Sequence, residues 1–275
     1  WSLVGGLRRD HAKVERSDLL NAANDFDKTF RYTTGRVGAI YSLSPTQSAY
    51  VQVARAVDPL AGLISTNATQ AQFDVSTGRQ VEVGYKQLLA DQRGAWSLAL
   101  YQIDKKKLLS RSESNPTVTQ QVGQQSSKGL EASVDLALTP TLRVEANAAA
   151  LRARYDDFNE VVGGNLVSRD GNTPTGVPER MANLWVDWRF LPQWQALAGL
   201  RYVGPREVNS ANTRQIGSYT VADALVYWNV RRDLRLGLEV GNLFDRDYPL
   251  TFSNGGDQWL LGRPRTVMLS ADLRF

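Results

Sequence analysis

Catalysis and metal binding need groups that attack, ligate or move protons, and this chain is short of them. Its 275 residues include no cysteine and a single histidine, His11. Thiolate chemistry and disulfides are therefore excluded. A Ser-His-Asp triad or a histidine-rich metal centre would have to be built on that one imidazole. The chain has no GxSxG elbow, CxxC pair, HExxH helix or phosphate loop. Arg169–Gly176 (RDGNTPTG) has the outline of a calcium loop but lacks the spaced acids that such a loop needs. Asn67-Ala68-Thr69 matches a glycosylation sequon by pattern only. Lys plus Arg number 32 and Asp plus Glu 28, a net charge of +4. That excess is small and forms no basic stripe along the sequence, which argues against nucleic acid as a partner. The expectation is a protein that is not an enzyme and has no resident metal or cofactor.

The charged residues that remain follow a rule of another kind: they sit at every second position between apolar ones. Glu82 and Lys86 alternate with Val81, Val83 and Tyr85, and Glu131 and Asp135 with Leu130, Val134 and Leu136. The same holds for Glu145, Asp187, Arg235, Glu239, Asp272 and Arg274. A period of two is a strand with two unlike faces. About twelve such segments are predicted, near 2–10, 33–43, 47–57, 79–89, 94–105, 127–138, 141–154, 181–190, 194–204, 219–230, 233–243 and 264–275. Most run roughly ten residues, whereas soluble strands average five or six and a tilted membrane-crossing strand needs about nine to eleven.

The connections alternate as well. Short turns (SPTQ, ADQR, TPT, LPQ, VRRD) interleave with long segments at about 11–32, 58–78, 106–126, 155–180, 205–218 and 244–263. In an up-and-down sheet this puts all short turns at one rim and all long loops at the other, the asymmetry of outer-membrane barrels. Trp96, Trp188, Trp194 and Trp228 fall beside the short turns, as an interfacial aromatic girdle would. The charged set would line a wet or polar-packed interior, and the apolar set would face lipid. The final strand, TVMLSADLRF, then carries Val267, Leu269, Ala271, Leu273 and Phe275 toward lipid and ends at the short-turn rim. The competing reading is a soluble all-β binding domain.

These residues resemble a known family. LEVGNLFDRDYPLT followed by GRPRTVMLSADLRF is similar to the C-terminal end of TonB-dependent siderophore receptors. Asn242, Leu243, Phe244, Asp245 and Tyr248 match the motif of the penultimate strand, and Gly262, Pro264, Arg265 and Phe275 that of the last. SAYVQVARAVDP, VEVGYK, KGLEASVDLAL, GLRYVGPR and YTVADALVYW resemble earlier strands in the same order.

The resemblance implies an all-β, antiparallel up-and-down transmembrane β-barrel in the outer membrane of a Gram-negative cell. Residues 1–275 would be its C-terminal part, about twelve strands of a 22-stranded barrel, with the plug domain absent and the sheet an open half-barrel. The implied function is reception and TonB-energised import of a ferric siderophore, with iron present only as that complex. The alternative is a passive porin-like or adhesin-like barrel. The implied partners are the siderophore, outer-membrane lipid, TonB through the missing plug, and the outer-membrane assembly machinery through the C-terminal strand. A large, often anionic and aromatic chelate suits Arg and aromatic side chains in external loops. Trp259, Gln258, Phe252, Arg214, Arg206 and Arg169 are the ligand-contact candidates. Glu82, Lys86, Glu131, Asp135 and Glu239 would be wall-network or plug-contact residues.

Overall fold

The computed structural model describes residues 1–57, 73–89, 93–111, 119–253 and 257–274. The strands in chain order are β1 (Ser2–Arg16), β2 (Phe26–Ser44), β3 (Gln47–Val57), β4 (Thr77–Leu88), β5 (Gly94–Arg111), β6 (Thr119–Thr139), β7 (Leu142–Asp157), β8 (Asn159–Val162), β9 (Asn165–Ser168), β10 (Arg180–Leu191), β11 (Trp194–Val203), β12 (Arg206–Glu207), β13 (Gln215–Ile216), β14 (Tyr219–Arg231), β15 (Leu234–Gly241), β16 (Pro249–Ser253), β17 (Gln258–Leu261) and β18 (Thr266–Leu273). Twelve of them form one sheet in the order β1-β2-β3-β4-β5-β6-β7-β10-β11-β14-β15-β18. Every neighbouring pair is antiparallel. Among the described residues β1 and β18 each have a single partner, so the sheet is open at both ends, as expected of a half-barrel.

The predicted strands are all present, but several run further toward the long-loop rim. The β1–β2 ladder continues to Arg16 opposite Phe26, and the β5–β6 ladder to Arg111 opposite Thr119. On β6 the sequence there is polar at both parities (QQVGQQSSK), so pairing persists without alternation, whereas β1 and β2 go on alternating through Ala12, Val14, Phe30 and Tyr32. The predicted connections 11–32 and 106–126 shrink accordingly. The segments 155–180, 205–218 and 244–263 are not plain loops; they fold as the small two-stranded sheets β8–β9, β12–β13 and β16–β17. The sequon at Asn67, most of connection 58–78 and the terminal Phe275 lie outside the described residues.

Cross-strand register assigns the two faces. One presents Val37, Val51, Val83, Leu100, Leu130, Leu200, Leu238 and Leu269 to the exterior, with Leu269 79% exposed. An apolar surface of this extent in water would be a severe aggregation hazard; against lipid it is at rest. At its short-turn edge the predicted tryptophans meet. Trp194 stacks on Trp228 at 5.4 Å, and Trp188 reaches Trp194 through Phe190. Trp96 packs on Tyr85 at 5.2 Å.

The opposite face carries the polar set, together with rings laid over glycines. Tyr50 faces Gly84, Tyr101 faces Gly129, Trp185 faces Gly199 and Tyr227 faces Gly237 across their ladders. A Cβ on Gly84 would lie 2.5 Å from the Tyr50 ring, so the ring occupies the space that a side chain would take. The fully buried apolar residues, Phe158, Val208, Ile216 and Val221 among them, cluster at the long-loop rim where the small sheets fold in.

Candidate functional site

The inner face is a wall of short hydrogen-bonded clusters. Glu82 is the hub of the first. It accepts from Tyr50 Oη at 2.6 Å and Gln52 Nε2 at 3.2 Å on β3, and from Gln80 Nε2 at 2.7 Å on its own strand. The Lys86 ammonium lies over the Tyr50 ring, 5.4 Å from its centre. Further round, Arg143 pairs with Asp135 and, at 3.5 Å, with Glu145. In a third cluster Gln195 Nε2 donates to Asp187 at 2.7 Å and Gln195 Oε1 accepts from Arg235 at 3.0 Å, while the Arg235 guanidinium stacks 3.7 Å from the Tyr227 ring. Pairing lowers the cost of holding charge in a partly dry interior. Among the described residues, Asp135 Oδ1 and Arg235 Nε are buried and find no hydrogen-bond partner.

Above this wall the three small sheets lock into a roof. Glu160, on β8, is 1% exposed. It accepts from Arg169 Nε at 3.0 Å, just beyond β9, and from Ser210 Oγ at 2.7 Å in the next connection. Asn172 Nδ2 donates to the Ser210 carbonyl at 2.8 Å, and Asn212 exchanges two hydrogen bonds with the Thr173 backbone. Arg206 then ties that connection to the following one. Its two terminal nitrogens donate to the Pro249 and Leu250 carbonyls at 2.7 and 2.9 Å. Its guanidinium lies over Tyr219, which packs on Tyr248 with ring centres 4.8 Å apart. Arg214 reaches Asp257 at 2.7 Å near the exposed surface.

All six loop candidates therefore fall in one interlocked roof. Phe252 and Trp259 are cross-strand partners in the β16–β17 hairpin, and Gln258 faces Ser253. Trp259 is about half exposed and the Arg214 side chain 47% exposed, so both present surface outward. Arg169 and Arg206 are drawn inward as clamps, on a carboxylate and on two carbonyls. Sequence reasoning did not find Glu160, Ser210 or Tyr219. Nothing in the pattern marks a carboxylate in a polar loop as buried, since the acceptor and its donors lie up to fifty positions apart.

The terminal motif also assembles. Asn242 has a left-handed φ of 51° and is 3% exposed. Its side chain donates to the Arg246 and Arg263 carbonyls and accepts from the Arg246 N–H. Asp245, again at φ 51°, accepts the Arg265 N–H at 2.8 Å. The Tyr248 ring fills the space where a Cβ on Gly262 would sit, 1.9 Å away. Pro264 lies between Gly262 and Arg265 on the way into β18, Leu243 N–H donates to the Ala222 carbonyl, and Phe244 is exposed. Together these residues pin the external ends of β15 and β18.

The family described as TonB dependent receptor-like, beta-barrel, matches residues 1–243. The chain is 29% identical to the metal-pseudopaline receptor CntO of Pseudomonas aeruginosa, an alignment that covers 100% of this chain and 39% of that protein. It is 30% identical to the ferrioxamine receptor of Yersinia enterocolitica, over 90% of this chain and 34% of that protein. It is 32% identical to the ferrichrome outer membrane transporter/phage receptor of Escherichia coli K12, over 74% of this chain and 27% of that protein. Among solved structures, the siderophore receptor PiuA from Acinetobacter baumannii superposes with a TM-score of 0.83 at 21% identity, over 98% of this chain and 40% of that one. The chain thus spans well under half the length of these relatives.

Proposed function

The chain belongs to the TonB-dependent receptor β-barrel family, and from that premise we propose that it forms twelve strands of the wall of a Gram-negative outer-membrane receptor that imports a ferric siderophore. The carrying observation is the sidedness of one sheet. An apolar outer face, a hydrogen-bonded polar inner face and a locked loop roof at one rim make a wall between lipid and a polar lumen. The relatives' names specify chelated metals, namely metal-pseudopaline, ferrioxamine and ferrichrome. In this reading the exposed Trp259 and Arg214 take part in capture, through stacking and charge. The exposed Glu131 on the inner face meets the polar surface of a plug on which TonB pulls. Iron is cargo, and the protein does no chemistry on it.

The test is radioiron uptake by cells making the intact receptor, with TonB present or deleted. Uptake of a chelate only when TonB is present is expected. Uptake that is equal without TonB would assign the wall to a passive pore. Within the same assay, Trp259→Ala and Arg214→Ala should each raise the half-saturating chelate concentration about fivefold, the value of roughly 1 kcal/mol.

A further inference from the structure

One row of side chains on the inner face runs between the charged clusters. At the short-turn end of β2, Ser42 faces Ser48 across the ladder, and Ser48 faces Lys86. Lys86 faces Ser97, Ser97 faces Ser133 and Ser133 faces Asn147. Asn147 then faces Asn183 on β10, and Asn183 faces Arg201 on β11. Eight successive strands of the wall thus set a polar side chain at one register. None of the eight is acidic, and six are hydroxyls or amides. The neighbouring rows differ. The one nearer the long loops carries Tyr50 and Glu131, and the one nearer the short turns carries Asp135, Glu145 and Trp185.

The row is a ramp. Ser42 stands beside the β2–β3 turn, where the ladder closes at Ser44 opposite Gln47. Arg201 stands near the long-loop end of β11, and its Nη2 donates to Tyr248 Oη at 3.4 Å beneath the roof. Strands of such walls tilt by about 35–45°, so a line that follows cross-strand partners climbs. Seven strand spacings of about 4.8 Å make roughly 34 Å along the row. At that tilt the rise is about 22 Å, close to the ~25 Å apolar band of these barrels. The row therefore joins the roof to the opposite rim through the thickness of the membrane.

Its chemistry suits passage better than anchorage. A groove of about 710 Å³ follows its lower part, lined from Ser42 to Asn147. The acids that edge this groove, Asp135 and Glu145, are paired with Arg143. The rungs are neutral and paired with one another, Ser97 Oγ with Ser133 Oγ at 2.7 Å and Asn183 Nδ2 with Asn147 Oδ1 at 2.9 Å. Each keeps donor or acceptor capacity for a further partner. A series of similar, weak sites lets a polar body step from one to the next, whereas a charge pair would hold it. Among the described residues, Lys86 and Arg201 make no ion pair. Standing toward opposite ends of the row, they offer charged donors to a chelate's oxygens at entry and exit.

We infer that this ramp, from Arg201 down to Ser42, is the lane along which an oxygen-rich metal chelate descends past the plug. The inference rests on the proposed import and names the arc of wall that carries it. The chain has no cysteine, so a thiol introduced into it reports from its own position. The test is labelling of N183C, S97C and S270C, each in the intact receptor in cells, by fluorescein maleimide, a probe of roughly chelate size. Ser270 also faces the lumen, on β18, but lies off the ramp opposite Gly237. With TonB present, S97C should label about tenfold faster than S270C, as a region that opens locally does against one that stays covered. With TonB deleted, S97C should fall to the rate of S270C. S133V/N147L puts an apolar break in the ramp. It should slow S97C on the order of twentyfold, about fivefold for each net hydrogen bond lost, and leave N183C, above the break, unchanged. Equal labelling of S97C and S270C with TonB present would overturn the lane. So would a break that leaves S97C untouched while N183C reports a folded receptor. S97C labelled ahead of S270C to the same extent with and without TonB would keep the lane and sink the energised import.

Discussion

At the scale of single residues, charge is placed where a partner or water can answer it. Asp74, at the long-loop rim, shows this in titratable form. The Lys107 ammonium hydrogen-bonds its carboxylate and holds its pKa below the usual value, with the Val75 N–H assisting. A depressed carboxyl pKa contributes stability above the unfolded pKa of about 4, and that contribution is lost as pH falls through the folded value. Lys107→Gln should therefore lower stability at pH 7 by under about 1 kcal/mol, because both partners are half exposed. Near pH 2 the variant and parent should converge. Urea midpoints measured across that range check this; a difference that persists undiminished at pH 2 would show that the loss is not electrostatic. Asp74 and Lys107 were not legible as a pair in the sequence. They stand 33 positions apart, and only the folding of residues 73–76 against β5 brings them together.

At the scale of elements, alternation and turn chemistry were enough to find the twelve wall strands, because each strand must present unlike faces to unlike media. The same rule is silent where both faces meet water. The extension of β6 carries no period-two signal for that reason, and the β8–β9, β12–β13 and β16–β17 hairpins are too short to show one; the extensions of β1 and β2 do alternate, with Val14, Phe30 and Tyr32 packed on one face. The roof hairpins yield a direct expectation. Glu160→Ala leaves the half-buried Arg169 without its carboxylate and Ser210 without its acceptor. Breaking one partner of a buried pair costs roughly 3–5 kcal/mol, and here the cost is local. Amide exchange should rise in residues 159–168 and 206–216, with the β5–β6 ladder unchanged. Exchange that rises throughout the sheet would mean that the roof and wall open as one unit.

At the scale of the whole molecule, one residue step decides which medium a side chain meets. Leu100→Arg places a guanidinium on the apolar face and should cost about 2–4 kcal/mol in lipid. Ala99→Arg, its neighbour, points at the polar inner wall beside Glu131 and should cost far less. Unfolding in lipid vesicles measures both, and equal costs would contradict the assignment of faces. Strand order carries a different kind of consequence. Each strand's neighbours in the sheet are its neighbours among the wall strands of the chain, without a single crossover. Pairing then proceeds hairpin by hairpin, with no distant segment to wait for. A wall built this way is a one-dimensional object in heredity as well as in folding: duplicating or deleting a hairpin changes the circumference but not the topology, and a genetic crossover falling in a short turn joins two halves that already know how to meet.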